Sequence, residues 1–253
     1  MNGALAIAGR DLRMLFWSPA AWALLAVVMA IMGYLFLTQL DVYTQVQSQL
    51  LGMPDPPGLT EVMVSSLYGS AGVVLLMIVP LLTMRAFADE RRAQTLPLLL
   101  AAPVSMSAIV AGKFLAVLGF LAVVVALVVA MLASLSVGAS LDWGLIAAGT
   151  LGLVLLLSAF AALGVFVSSL TAQPVIAAGG TFGALLGLWI LNWAGGDGEG
   201  TSTLLLRYAS ILSHYDPLLK GVFDTADVAY FLLFTFAFLA LTVRRLDGER
   251  LGG

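Results

Sequence analysis

The chain has 253 residues, of which 61% are hydrophobic and 10% are charged; its formal net charge is -3, and it contains no cysteine. Soluble globular domains are about 45 to 50% apolar and about 25% charged, so this composition predicts a membrane protein without a large soluble domain. The lack of cysteine excludes a disulfide framework and a thiolate metal site. The acidic net charge gives no indication of nucleic-acid binding.

Residues 3–16 have the pattern of an amphipathic helix at the membrane interface. Its two faces differ in polarity. The apolar face contains Leu5, Ala8, Leu12, Leu15 and Phe16, and the charged face contains Arg10, Asp11 and Arg13. Ser18 and Pro19 follow, and proline suits the first turn of a new helix.

Six further stretches are largely uncharged and long enough to cross a membrane as helices, which takes about 20 residues each. They cover about residues 20–40, 67–84, 114–135, 143–170, 175–193 and 225–243. The sequence therefore predicts an all-α integral membrane protein whose single membrane domain covers residues 1–253.

Two connections carry clear turn and cap residues. Residues 41–66 contain Pro54-Asp55-Pro56-Pro57 and are predicted to form an outer loop. Residues 203–224 are too amphipathic for a span, and we expect two short helices lying in or re-entering the outer leaflet. The break is predicted at Asp216-Pro217, because aspartate caps a helix and proline fits its first position. Asp224 should cap the sixth span in the same way.

The basic residues indicate the orientation. Nine of the eleven Lys and Arg residues fall within residues 10–13, 85–113 and 244–250. Because cytoplasmic loops near membrane spans are enriched in Lys and Arg, these three segments should be cytoplasmic, as should both termini.

No Asp, Glu, Lys, Arg or His lies inside the predicted span cores, although an ionisable group at mid-membrane marks proton relays, ion paths and intramembrane catalysts. We therefore expect no catalytic residue and no bound cofactor in this chain, and an energy source in another subunit. Gly112-Lys113 lacks the upstream glycine and the following Ser or Thr of a phosphate-binding loop, so the chain offers no ATP site.

Two features outside the charged segments have a structural and a functional interpretation. His214 is the only histidine, and without cysteine or clustered carboxylates it favours a structural role at the interface over a metal site. Gly179, Gly183 and Gly187 are spaced four residues apart in the fifth span and allow another helix to approach closely. Packing within one bundle and a dimer interface both remain open.

The segment from Arg85 onward resembles the cytoplasmic signature of type-2 ABC exporter permeases. The matching residues are Phe87, Glu90, Arg91, Thr95, Leu99, Leu100, Pro103, Val104 and Ser105, followed by Gly112 and Lys113. Gln94 stands where the signature has glycine, and Pro97 replaces a residue that is usually polar or acidic. Phe16-Trp17-Ser18-Pro19 is similar to the family's entry to the first span, and residues 211–231 resemble the gliding-motility (GldF-like) subgroup.

This resemblance implies the permease subunit of a dimeric ABC exporter, coupled to a partner subunit that binds ATP and Mg²⁺. The second permease would be another copy or a paralogue, in the inner membrane of a bacterium. The resemblance also implies a cytoplasmic coupling helix between spans 2 and 3 that meets the ATP-binding subunit. The residues implied to lie in or beside this element are Phe87, Asp89, Glu90, Arg91, Arg92, Thr95 and Leu96, and Pro103 and Lys113 would bound it. The N-terminal helix, with Arg10, Asp11 and Arg13, would form a second contact on the same face.

The gliding-motility likeness implies an alternative function. The same bundle would transmit force from the ATPase to an extracytoplasmic partner protein and transport nothing. Its output surface would then be the outer segment that contains His214, Asp216 and Lys220.

Overall fold

The computed structural model describes residues 2–50, 58–95, 104–194 and 208–252, and in these ranges the chain is helical without strands. Six of the helices are long and apolar enough to cross a membrane, which confirms the all-α membrane fold. The helices are α1 (Asn2–Trp17), α2 (Pro19–Leu50), α3 (Leu59–Thr83), α4 (Arg85–Arg92), α5 (Met106–Ser134), α6 (Trp143–Leu170), α7 (Pro174–Ala194), α8 (Ile211–Leu219) and α9 (Thr225–Gly252), with a 3-10 turn at Leu135–Val137.

Several spans are longer than their apolar cores. α2 continues to Leu50 and α3 begins at Leu59, so much of the predicted outer loop at residues 41–66 is helical instead. Local hydrogen bonds support the polar end of α2, since Gln45 donates to the Asp41 carboxylate at 2.9 Å. A hydropathy pattern identifies the part of a helix that lies in the membrane, but it does not detect polar turns that continue the helix outside the membrane.

The segment between the fifth and sixth spans also differs from its prediction. The expected break at Asp216-Pro217 is wrong, because Pro217 lies inside the single helix α8. Burial of Tyr215 and Leu218 in the core holds this helix together despite the proline. The helix ends at Leu219, and Gly221, just after the cap residue Lys220, has a φ of 76° in the left-handed region that glycine adopts readily. The predicted cap at Asp224 is confirmed by its bond from the Ala226 amide.

α6 forms the centre of the bundle. Of its most apolar stretch 67% is buried, against 17% for α7 at the periphery. Glycines let neighbouring helices approach α6 closely: a Cβ at Gly149 would lie 2.6 Å from the Tyr68 ring of α3. Next to this contact the Tyr68 and Thr150 hydroxyls are 2.7 Å apart.

α1 runs along the first half of α5. A Cβ at Gly112 would lie 2.8 Å from the Ala4 carbonyl oxygen and from the Ile7 side chain. Further along, Leu12 packs onto Gly119. We call the end of the bundle that carries α4 the α4 end, and the opposite end the α8 end.

Candidate functional site: the charged cluster around α4

A single residue, Met84, separates α3 from α4, and a serine from another helix fixes this junction. Ser168 of α6 donates its hydroxyl hydrogen to the Met84 carbonyl at 2.9 Å. The same oxygen accepts the Phe87 amide at 3.0 Å and the Ala88 amide at 3.2 Å. Amides in the first turn of a helix have no partner within the helix, so Ser168 acts as a cap from outside it. No sequence signal identified Ser168, because it lies 80 or more residues from its partners.

Phe87 anchors α4 in the bundle. Its side chain is fully buried and joins α4 to α5, α6 and α9. The apolar residues that surround it are Met106, Ile109, Val110, Val165 and Leu246. α4 is therefore packed firmly against the bundle on its apolar side.

Lys113 joins three helices through charge. Its Nζ lies 2.7 Å from Oε1 of Glu90 in α4 and 3.4 Å from Oδ2 of Asp11 in α1. It also lies 5.1 Å from the centre of the Phe87 ring. Only 6% of the Lys113 side chain is exposed. A buried ammonium group is tolerated only when it is paired, and both carboxylates therefore contribute to its stability here.

A second ion pair ties α4 to the last turns of α9. Nη2 of Arg91 lies 2.7 Å and 2.8 Å from the two carboxylate oxygens of Glu249. Arg245, one turn earlier on α9, lies 3.3 Å from Glu249. Sequence reasoning missed Glu249. The only signal was an acidic residue within a basic segment, which is not enough to identify its partner.

α4 ends in a turn that glycine would fit better. Gln94 has a φ of 55°, in the left-handed region. The Thr95 amide donates to the Glu90 carbonyl at 3.0 Å, and the Gln94 amide donates to the Arg91 carbonyl at 3.2 Å. These bonds define a Schellman motif, in which residue 94 holds the position where glycine is usual. The chain thus adopts at Gln94 a backbone conformation that glycine favours, at the position where the signature has glycine.

The predicted coupling residues fall into two groups. Asp11, Phe87, Glu90, Arg91 and Lys113 are bound within the chain as described above. Arg10, Arg13, Asp89, Arg92 and Thr95 have exposed side chains. A cavity of about 310 Å³ between α1, α3, α4 and α5 brings together Asp11, Arg85, Asp89, Glu90 and Lys113. Leu96 and Pro103 lie outside the described residues, as does Pro97.

At the α8 end, His214 links α8 to α9. Its Nδ1 lies 2.7 Å from an Asp227 carboxylate oxygen, and its Nε2 lies 3.0 Å from the Tyr208 carbonyl oxygen. The ring stacks on Tyr230 with centroids 4.0 Å apart. A carbonyl can only accept, so Nε2 is the donor in the contact with Tyr208. His214 therefore takes part in a buried structural contact.

The other two outer-segment residues are less enclosed. Burial raises the pKa of the Asp216 carboxyl, and the positive charge of Lys220 opposes this shift. Lys220 is exposed and lines an open cavity of about 1050 Å³ together with Tyr43, Glu61 and Asp142.

The three glycines of α7 face away from the bundle. A Cβ at Gly179, Gly183 or Gly187 would meet no atom within 4 Å in the described part of the chain. Packing within the same bundle, one of the two interpretations of this stripe, is therefore not observed. In contrast, a Cβ at the neighbouring Gly180 would lie 3.2 Å from Val167 of α6.

No curated protein matches the chain. A family model described as ABC-2 family transporter protein matches residues 5–250, a range that includes α4, Lys113 and Glu249. The match covers nearly the whole chain, and the chain therefore belongs to the ABC-2 family of transporter membrane proteins.

Proposed function

We propose that the chain is the membrane-spanning subunit of an ATP-driven exporter and that its ATP-binding partner docks at the α4 end. Family membership supports the general role: the chain is a multi-pass permease subunit of an ABC transporter and works with an ABC ATP-binding subunit. Docking of the partner at the α4 end is supported by one observation: α4 is fixed to the bundle at several points while one side of it stays exposed.

This fixation suits a helix that transmits a push. Ser168 holds the start of α4, Phe87 anchors its buried side, and ion pairs hold Glu90 and Arg91. Asp89 and Arg92 remain exposed and could contact the partner. A rigid element that is fixed in this way passes a displacement to α5, α6 and α9 together, because packed helices move as bodies and do not deform continuously. ATP and Mg²⁺ would be bound by the partner.

The distribution of basic residues supports a cytoplasmic α4 end. Arg85, Arg91, Arg92, Lys113 and the basic residues of α9 all lie at this end, as the preference for positive charge on the cytoplasmic side predicts. Both termini would then be cytoplasmic, and the protein would lie in the inner membrane of a bacterium.

The exposed side of α7 supports a dimer. Its glycine stripe at 179, 183 and 187 is uncovered, and Val175 and Ile176 beside its start are also exposed. Small residues allow a second helix to pack closely within a membrane. We propose that a second permease, either another copy or a paralogue, packs here and that the substrate passes between the two bundles. The uncharged cores of the spans favour an amphiphilic, lipid-linked or otherwise apolar substrate.

The docking proposal is tested by reversing charge on the exposed side of α4. The double variant Asp89→Lys/Arg92→Glu changes two exposed side chains that make no described contact with the bundle. It should therefore insert into the membrane normally but should no longer retain the ATP-binding subunit. The measurement is a mild-detergent pull-down with mass spectrometry and a vanadate-sensitive ATPase assay. Glu61→Lys, an exposed reversal at the α8 end, is the matched control and should retain the partner. Equal retention by both variants would contradict docking at α4.

A second function is favoured by the contacts of α9. Through Asp227 and His214 this helix contacts α8, and through Glu249 and Arg91 it contacts α4. One continuous helix thus connects the outer segment to the helix proposed to meet the ATPase. Such a connection suits the alternative in which the bundle transmits force to an extracytoplasmic partner protein, as the likeness of residues 211–231 to the gliding-motility subgroup implies.

The two functions differ in the role of the exposed Lys220. If the bundle is a force transmitter, Lys220→Glu should abolish function in cells and leave ATPase activity of the purified complex unchanged. Loss of both activities, or of neither, would argue against a separate output surface at α8.

A further inference from the structure

The exposed face of α1 combines apolar side chains with two arginines. Trp17 is 87% exposed, Leu5 61% and Met14 58%. Together with Arg10 and Arg13 these residues line an open groove of about 850 Å³. Arg10 is paired with its neighbour Asp11 at 2.9 Å, whereas Arg13 makes no ion pair with any residue that the structure describes. The groove therefore presents an uncompensated positive charge beside an uncovered apolar surface.

The depth of this groove follows from the packing of α1 on α5. Ile7 lies against Gly112 and Leu12 against Gly119, so Arg10 is level with the α5 turns between these glycines and Arg13 follows directly after the contact at Gly119. α5 carries no charged residue beyond Lys113. The two arginines thus lie where α5 passes from its charged end into the apolar part of the membrane.

The surroundings at this depth are lipid headgroups and the first part of the acyl chains. A long arginine side chain there extends toward the headgroups, and an exposed tryptophan is typical of the same zone. Trp22, in the first turns of α2, is also exposed and donates to the Phe16 carbonyl at 2.6 Å. A soluble subunit would have to reach between headgroups to cover this face, whereas a phospholipid of the bilayer would meet it directly.

We propose that this face of α1 binds an anionic phospholipid of the leaflet at the α4 end, with its phosphate at Arg10 and Arg13 and its acyl chains along Met14 and Trp17. The arginines supply charge complementarity and the apolar residues supply a surface for the chains. The lipid would hold α1 at the membrane surface, with α5 on its other side. The assignment does not depend on which partner docks at α4 or on the direction of transport.

The test uses the delipidated full chain in detergent and native mass spectrometry. The protein is titrated separately with phosphatidylglycerol and with phosphatidylcholine, and the bound lipid is counted. Phosphatidylglycerol should be retained in preference to phosphatidylcholine. Arg10→Gln/Arg13→Gln should weaken its binding by about tenfold or more, since each basic residue near a membrane surface contributes about 1 kcal/mol. Arg244→Gln/Arg250→Gln removes two exposed charges from α9 at the same end and should leave this binding unchanged.

Four results would overturn the proposal. The first is equal binding of phosphatidylglycerol and phosphatidylcholine by the unmodified chain, a comparison that needs no variant to fold. The second is unchanged phosphatidylglycerol binding by the Arg10/Arg13 variant. The third is displacement of the lipid by sodium phosphate at comparable concentration, which would indicate a simple anion site. The fourth is loss of the ATP-binding subunit from the Arg10/Arg13 variant with lipid binding intact, which would assign this face to the protein partner.

Discussion

The ammonium nitrogen of Lys113 lies 2.7 Å from Oε1 of Glu90, although the two residues are 23 positions apart in the chain. Lys113 is part of a membrane span, and Glu90 is part of the short helix α4. Asp11 of α1 lies 3.4 Å from the same nitrogen. One buried cation thus holds three separate segments together, and its stability depends on how many of these partners remain.

Glu90→Gln should lower the free energy of unfolding by about 1–3 kcal/mol, because the Lys113 ammonium group loses its closest negative charge. The measurement is denaturant unfolding in detergent, followed by tryptophan fluorescence. Asp89→Asn is the matched control on the exposed side of α4 and should change stability by less than about 0.5 kcal/mol. Similar losses in the two variants would mean that the Lys113 contact does not stabilise the fold.

Gln94→Gly should stabilise the protein by about 1 kcal/mol, because glycine adopts the left-handed conformation at this position without the steric cost that a Cβ imposes. Gln94→Ala is the control: it removes the long side chain and keeps the Cβ, so it should have little effect. Both are measured as the midpoint of thermal unfolding. Destabilisation by glycine together with destabilisation by alanine would instead identify a contact made by the Gln94 side chain.

Asp216→Asn should make the protein more stable than the unmodified chain at neutral pH, and this advantage should shrink as the pH falls. Burial raises the pKa of Asp216 in the folded protein, so the folded state holds its proton to higher pH than the unfolded state does. Stability is therefore lost as the pH rises through the folded pKa, and the loss is absent below the ordinary aspartate value of about 4.

The comparison for Asp216 is the difference in unfolding midpoint between variant and unmodified chain at each pH. Lys220→Gln is the counterpart variant. It removes the charge that opposes the shift, and it should lower stability at neutral pH while leaving it unchanged in acid. An Asp216→Asn advantage that stays constant with pH would show that ionisation of this carboxyl is not its cause.

Gly183→Leu should weaken dimerisation and leave the fold intact, because a side chain at this position would meet no atom of its own bundle within 4 Å. The readout is the oligomeric state in detergent, with unfolding of the same sample as the measure of folding. Gly248→Leu is the control, since Gly248 also has open space around it but lies on α9. A Gly183→Leu protein that dimerises normally would place the interface elsewhere.

The sequence was sufficient for the number and order of the spans and for the helical character of α1. Length and hydropathy determine these features directly, because a continuous helix satisfies all its backbone polar groups within the segment and about 20 apolar residues suffice to cross a membrane in that form. The polar extension of α2 to Leu50 was not predictable in this way, since it lies beyond the apolar part. The predicted helix break at Pro217 was wrong for a related reason. Local residue preference favours a break there, but burial of Tyr215 and Leu218 in the core outweighs that preference.

At the charged cluster the sequence indicated the residues of α4 and Lys113, but not their partners. The roles of Ser168 and Glu249 follow only from the packing of α6 and α9 against α4, because spacing along the chain does not reveal contacts between distant helices. The resemblance identified Gln94 as a departure from glycine. Only the backbone angle of 55° showed that the glycine conformation itself is retained.

The length of α2 offers a way to determine which side of the membrane each end occupies. Its 32 residues span about 48 Å at about 1.5 Å per residue, whereas the hydrocarbon core of a bilayer is about 30 Å thick. With the start of α2 at the membrane boundary of the α4 end, roughly three turns extend beyond the hydrocarbon core at the α8 end. Val42 lies in these turns with 53% of its surface exposed. Because the chain contains no cysteine, a thiol introduced at Val42 would be unique. A membrane-impermeant maleimide would then label it from one side of the membrane alone.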